Sequence, residues 1–165
     1  ADPRFQLWLY EGNAIAMRKA NELLAKAVGA ADWKTIRMWR DQAGYPAGAR
    51  HECYSVAMVA GNEHALDRSA DMDLVAYLIG THHGRGRPLM PTVIDNGTSI
   101  RYEVDGKKLN FSGQHNLEQL GGGWSDWFWS FNRRYGYWGL ACLEMLLRLA
   151  DHRQSALEGV MQDEA

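Results

Sequence analysis

Hydrophobic residues in this chain fall mostly at helical spacing, in short stretches separated by glycine-bearing joints. Arg4 to Tyr10 predicts a short aromatic helix or turn, broken by Gly12-Asn13. Between Ala14 and Val28, Ile15, Leu23, Leu24 and Ala27 share one face while Arg18, Lys19, Glu22 and Lys26 turn away. That pattern predicts an amphipathic helix ended by Gly29. A second helix is expected over Asp32 to Ala43, with Asp32 as N-cap and Ile36 and Trp39 facing inward. Its basic stripe, Lys34, Arg37 and Arg40, reads as a solvated face in preference to a nucleic-acid groove.

Gly44-Tyr45-Pro46-Ala47-Gly48 is a loop, after which His51 lies in the first turn of an apolar helix over Cys53 to Ala60. Asn62 to Ala70 is polar and loop-like. Asp71 or Asp73 then caps a helix carrying Leu74, Val75, Leu78 and Ile79 down to His82 and His83, where Gly84 stops it.

From Pro91 to Phe111 the period changes to two, through Val93, Ile100, Tyr102, Val104, Leu109 and Phe111, with Asn96-Gly97 and Asp105-Gly106 as turns. This predicts a small inserted β-hairpin, read as a docking surface. Gly121-Gly122-Gly123 breaks the chain again, and Ser125 is expected to cap an aromatic helix holding Trp127, Phe128, Trp129 and Phe131. After Gly136 a last helix carries Leu140, Leu143, Leu146, Leu147 and Ala150 as a core stripe as far as Asp151. The expected fold is all-α with a small β-hairpin. With 165 residues and 46% hydrophobic content, the chain suits one domain over 1–165.

A net charge of −2 excludes polyanion binding through bulk charge, so any nucleic-acid contact must come from a local cluster. Cys53 and Cys142 lack the CxxC spacing of zinc or redox sites and read as buried thiols in a reducing compartment. No run approaches the roughly 18 to 20 apolar residues that a bilayer span requires, and no signal segment opens the chain. A soluble, cytoplasmic protein is expected. The seven tryptophans read as core packing in preference to base stacking. The opening Ala1-Asp2-Pro3-Arg4-Phe5, without methionine, suggests a chain cut from something longer.

Imidazole and carboxylate are ligands of borderline divalent cations such as manganese, iron, cobalt, nickel and zinc, so His51, His82, His83 and Asp151 form a candidate set. Each sits at the end of a predicted apolar helix. Helical neighbours diverge by about 100°, so His82 and His83 would not share one tetrahedral cation comfortably. They would serve two cations, or one would ligate while the other contacts substrate. The bland alternative is one core histidine beside one cation favoured by the negative helix end. Asp151, at the expected C-terminal end of its helix, is disfavoured by the dipole and by apolar neighbours; a bound cation, or an ion pair with Arg148 or Arg153, would remove that cost. Arg85 and Arg87, spaced by glycine, suit a loop that approaches a phosphodiester closely.

Three stretches carry a resemblance: Ala49-Arg50-His51-Glu52, Leu78-Ile79-Gly80-Thr81-His82-His83-Gly84-Arg85, and Leu149-Ala150-Asp151-His152-Arg153-Gln154-Ser155. In order and spacing the chain resembles the HD-superfamily nuclease domain of the CRISPR type I helicase-nuclease, over nearly its whole length. Ala1 to Gln6 is similar to the segment following that family's His-Asp-x-Gly-Lys signature, and Trp138-Gly139-Leu140 to forms in which the nuclease domain follows the helicase.

The resemblance implies an HD-type helical bundle that cleaves single-stranded DNA during CRISPR interference. The expected partners are a helicase domain and the surveillance complex, with no membrane. It implies His51, His82, His83 and Asp151 as catalytic metal ligands, two divalent cations drawn from manganese, iron, cobalt, nickel or magnesium, and Arg85 and Arg87 on the scissile phosphate. It also implies that the His-Asp pair, an earlier histidine and the signature lysine precede Ala1, so that these residues alone hold an incomplete site with weak or absent activity. Two other readings use the same residues: a phosphohydrolase acting on nucleotides, and a non-catalytic interaction module with structural histidines.

Overall fold

The computed structural model describes residues 2–20, 22–24, 31–60, 71–95, 99–104, 107–112 and 115–163, with side chains except at 102–104, 107–109 and 158–163. The described chain is mostly helical, with one two-stranded antiparallel hairpin. The elements are α1 (Pro3–Leu9), α2 (Ala14–Ala20), α3 (Trp33–Gln42), α4 (His51–Ala60), α5 (Met72–Thr81), β1 (Ser99–Val104), β2 (Lys107–Ser112) and α6 (Trp124–Asp163). They belong to two compact units, Ala1–Met58 with Val93–His115, and Val59–Thr92 with Asn116–Ala165. Among the described residues, no helix is long and apolar enough to cross a membrane.

In the first unit, Asp2 caps α1 by accepting from Arg4 N at 2.8 Å, and Pro3 occupies the first helical position. The Arg4 guanidinium lies 3.0 Å from both Asp2 Oδ2 and Asp95 Oδ2, and the Tyr54 hydroxyl donates to Asp95 at 2.7 Å. Burial works against the Arg4 charge, but the two carboxylates outweigh it and hold its pKa well above the ordinary arginine value. Around this polar knot Tyr45, Tyr54, Met58, Ile100 and Phe111 form the core, with Phe5 and Trp8 packed on it. β1 and β2 pair Ile100 with Phe111, and both side chains are buried, as the period-two pattern requires. The predicted turns at Asn96-Gly97 and Asp105-Gly106 lie outside the described residues, as do the side chains of Tyr102, Val104 and Leu109.

α3 starts where expected: Asp32 Oδ1 accepts from Lys34 N at 2.8 Å and Thr35 N at 3.0 Å. Its basic stripe is partly paired, with Arg40 2.7 Å and Arg37 3.7 Å from Asp41. Ile36, expected inside, is exposed, and only Trp39 is half-buried. The helix expected over Ala14 to Val28 is shorter: α2 ends at Ala20, residues 22–24 are not helical, and the predicted inward-facing Ile15 and Leu23 are exposed. Side chains of α1 and of its C-cap residue Tyr10 explain the early end. Gln6 donates to Leu24 O at 3.0 Å and accepts from Leu24 N at 2.8 Å, and the Tyr10 hydroxyl donates to Glu22 O at 3.0 Å. Those are backbone groups that a continuing helix would use itself. Residues 25–28 of the predicted helix, and its predicted stop Gly29, lie outside the described residues, as does the loop predicted over Asn62 to Ala70.

In the second unit Asp71, not Asp73, caps α5, accepting from Leu74 N at 3.1 Å. α5 packs on α6 through Tyr77, whose ring stacks on Trp124 at 5.4 Å and tilts against Phe131 at 5.2 Å. Trp124 Nε1 donates to Gly86 O at 2.5 Å and so holds the loop after α5. Gly136, with φ 69° and ψ 164°, breaks α6 between the aromatic stretch and the leucine-rich one, where the sequence places the boundary.

Four expectations in this unit are corrected. Ser125 is not a cap, because α6 starts at Trp124 and Gly123 O accepts the first helical bond from Trp127 N at 3.0 Å. Of the leucine stripe, Leu140 is buried, Leu143 and Leu147 are half-buried, and Leu146 and Ala150 are exposed. Cys53 is buried as expected, but Cys142 is exposed. Asp151 does not end its helix, which continues to Asp163, so the dipole argument about its carboxylate does not apply.

Candidate metal centre

α5 ends one residue before the histidine pair. His82 is the C-cap, with φ −59° and ψ −23°, and the chain then turns through Gly84, whose N–H donates to Thr81 O at 2.6 Å. Gly84 has φ 73°, and a Cβ there would lie 2.9 Å from Arg148 Nη1. Glycine therefore both takes the left-handed turn and leaves room for the Arg148 guanidinium.

Because His83 has left the helix, the divergence expected of helical neighbours does not occur. The two rings lie 4.0 Å apart between centroids, inclined by 39°, and both are half-buried. His82 Nδ1 lies 2.6 Å from Ile79 O. A carbonyl can only accept, so the proton belongs on Nδ1 and Nε2 carries the lone pair that a cation needs. Two imidazoles in contact, one oriented by backbone, suit a borderline divalent cation as a partial set of ligands.

His51 belongs to the first unit, as the first residue of α4. Its ring stacks on Phe5 at 4.8 Å, and its Nδ1 lies 3.6 Å from Glu52 Oε2. That distance gives electrostatic support without a hydrogen bond. Glu52 is buried and ion-paired with Arg50. Burial pushes its pKa up, but a hydrogen bond from its own backbone, Arg50 and His51 together hold it below the ordinary carboxylate value.

Asp151 is half-buried on the face of α6 that also carries Leu140, Glu144 and Leu147. It does not complete, with His82 and His83, a set of ligand atoms within 4.8 Å of one another. Among the described residues neither Arg148 nor Arg153 pairs with it.

Arg85 and Arg87 line a cleft of about 390 Å³ in the second unit, with Asn132, Phe128, Tyr137 and Glu144 among its other walls. Arg87 Nη1 lies 2.7 Å from Glu144 Oε2, and the Tyr77 hydroxyl donates to Glu144 Oε1 at 2.8 Å. Burial raises the Glu144 pKa above its ordinary value, against the opposing pull of Tyr77 and Arg87. Burial also raises Tyr77, and the neighbouring Glu144 adds to that shift. Arg85 is exposed and makes no ion pair or hydrogen bond among the described residues. The two arginines therefore differ: one is fixed by a buried carboxylate and the other is uncommitted.

Glu52, Tyr77 and Glu144 are absent from the set read from sequence. Glu144 had a visible signal, an acidic residue on the face that starts at Leu140, where only a partnered carboxylate is tolerated. Tyr77 had none, since its phenol is defined by a residue on another helix.

Comparison with protein-family models, curated proteins and solved structures returns no match.

Proposed function

We propose that this chain is the metal-holding part of an HD-type phosphodiesterase that cuts single-stranded DNA, with His82 and His83 as ligands. The observation that carries the reading is the imidazole pair itself, brought into contact by the turn after α5 and oriented through Ile79 O. A divalent cation bound there would supply Lewis acidity and lower the pKa of a coordinated water. The chain's own contribution is positioning. Arg85, two residues beyond His83 and uncommitted, would hold a phosphodiester oxygen, and Arg87 would keep its place through Glu144. His51 and Asp151 enter as ligands from the sequence reading, by residue chemistry and by resemblance. The helicase partner, the CRISPR surveillance complex and the cytoplasmic location that accompany an HD nuclease stand or fall with the same reading.

The test is a cutting assay by the full-length protein on a labelled single-stranded oligonucleotide with added manganese or nickel. Metal-dependent products that disappear in His82→Ala and His83→Ala support the proposal. Undiminished cutting in both variants rejects it. Turnover of deoxynucleotides without strand cutting favours the phosphohydrolase, and neither activity together with no metal uptake favours the interaction module.

A further inference from the structure

We infer that the cleft beside Arg85 seats one nucleotide of a single-stranded DNA, with the phosphate on Arg85 and the base against Phe128 and Tyr137, in contact with Glu144 and Asn132. This rests on the proposed function and adds to it a place where a base is read. At about 390 Å³ the cleft lies within the roughly 300 to 1,000 Å³ of small-molecule sites and is too small to admit a duplex.

Its walls differ in chemistry. Arg85 brings a charged fork with no competing partner among the described residues, which suits a phosphate. Phe128 and Tyr137 bring aromatic surface, and Tyr137 is 67% exposed.

The buried wall is made of acceptors. Glu144 is 6% exposed and holds both its carboxylate oxygens in fixed hydrogen bonds, each with a lone pair left over. Asn132 is 9% exposed, and its Nδ2 donates to Phe128 O at 2.8 Å, which assigns its Oδ1 as an acceptor. A base edge carrying an exocyclic amine donates to such a wall. Adenine, cytosine and guanine present that amine, whereas thymine offers only its ring N3–H, flanked by two carbonyls that a wall of acceptors repels.

Binding is measured by fluorescence polarisation of short labelled strands in EDTA, where metal-dependent cutting cannot occur. Cytosine or adenine tracts are expected to bind more tightly than thymine tracts, and abasic strands more weakly than all of them. Arg85→Ala should weaken every strand about tenfold or more, as loss of a charge-assisted phosphate contact does. Tyr137→Ala should weaken base-bearing strands about tenfold and leave the abasic strand unchanged. Both side chains are exposed, so their removal spares the core. Arg101→Ala, at an exposed arginine of β1, is the control for general attraction and should change little.

Abasic strands binding as tightly as base-bearing ones would overturn the inference. So would an equal loss in Arg101→Ala and Arg85→Ala. Strand binding that follows this pattern, in a protein that never cuts, would sink the proposed function and leave the nucleotide seat standing. Cutting that survives both variants with binding unaltered would do the reverse.

Discussion

Replacing Gly80 with alanine sets two effects of opposite sign against each other at the joint that supports the histidine pair. An ideal Cβ on Gly80 would lie 2.8 Å from Met90 Cε and 2.9 Å from Trp124 Cζ3, with Trp124 Cη2 nearer still. Met90 can bend its thioether away. Trp124 cannot follow easily, because it is 1% exposed, stacked on Tyr77 and bonded through Nε1 to Gly86 O. Overpacking of this kind costs about 1–3 kcal/mol, and distorting the indole hydrogen bond about 1 kcal/mol more. Alanine returns about 1 kcal/mol through its better helix propensity. The expected result is a net destabilisation of about 1–3 kcal/mol, read from urea unfolding followed by circular dichroism. Trp124→Phe removes the clashing ring, so the double variant should be more stable than the sum of the single changes predicts. A Gly80→Ala protein as stable as the parent, or more so, would refute the account of how α5 meets α6.

Tyr77→Phe should cost about 1–3 kcal/mol, because it leaves the buried Glu144 carboxylate short of a hydrogen bond; urea unfolding measures it. Glu144 and Glu52 should give opposite pH responses. The folded pKa of Glu144 is raised, so it costs stability increasingly as pH rises from its ordinary 4.5 through the folded value; Glu144→Gln should remove that decline. The folded pKa of Glu52 is lowered, so its stabilisation is complete above 4.5 and is lost as pH falls through the folded value; Glu52→Gln should flatten the acid limb. Unfolding midpoints taken from roughly pH 3 to 7 check both. Asp32→Ala should lower the thermal unfolding midpoint, since two backbone N–H groups at the start of α3 lose their acceptor.

Local chemistry was legible wherever neighbours in sequence decide it. The Asp32 cap, the glycine turn at Gly84, the break at Gly136 and the shared burial of Ile100 and Phe111 all follow from capping, positive φ or period two. What was not legible depends on distant partners. The helix from Ala14 stops early because Gln6 and Tyr10 take backbone groups at 22–24, and periodicity carries no trace of that competition. His82 and His83 were identified as chemistry, but their contact arises from a helix ending at Thr81 instead of running through the pair. A shift of one or two residues at that boundary reverses the geometric conclusion. Asp151 looked terminal because the apolar stripe fades after Ala150, yet the helix continues through polar residues. The Glu144 carboxylate takes its meaning from Tyr77 on α5 and from Arg87.

The account's central claim is that the ring pair after α5 binds a divalent cation. Metal-stripped protein titrated with cobalt(II), desalted and examined by elemental analysis and visible absorption, tests it most directly. The account predicts retained cobalt with a nitrogen-ligand absorption band in the parent, and loss of both in the His82→Ala, His83→Ala double variant at unchanged circular dichroism. Equal cobalt in the two proteins, or none in the parent, would contradict it.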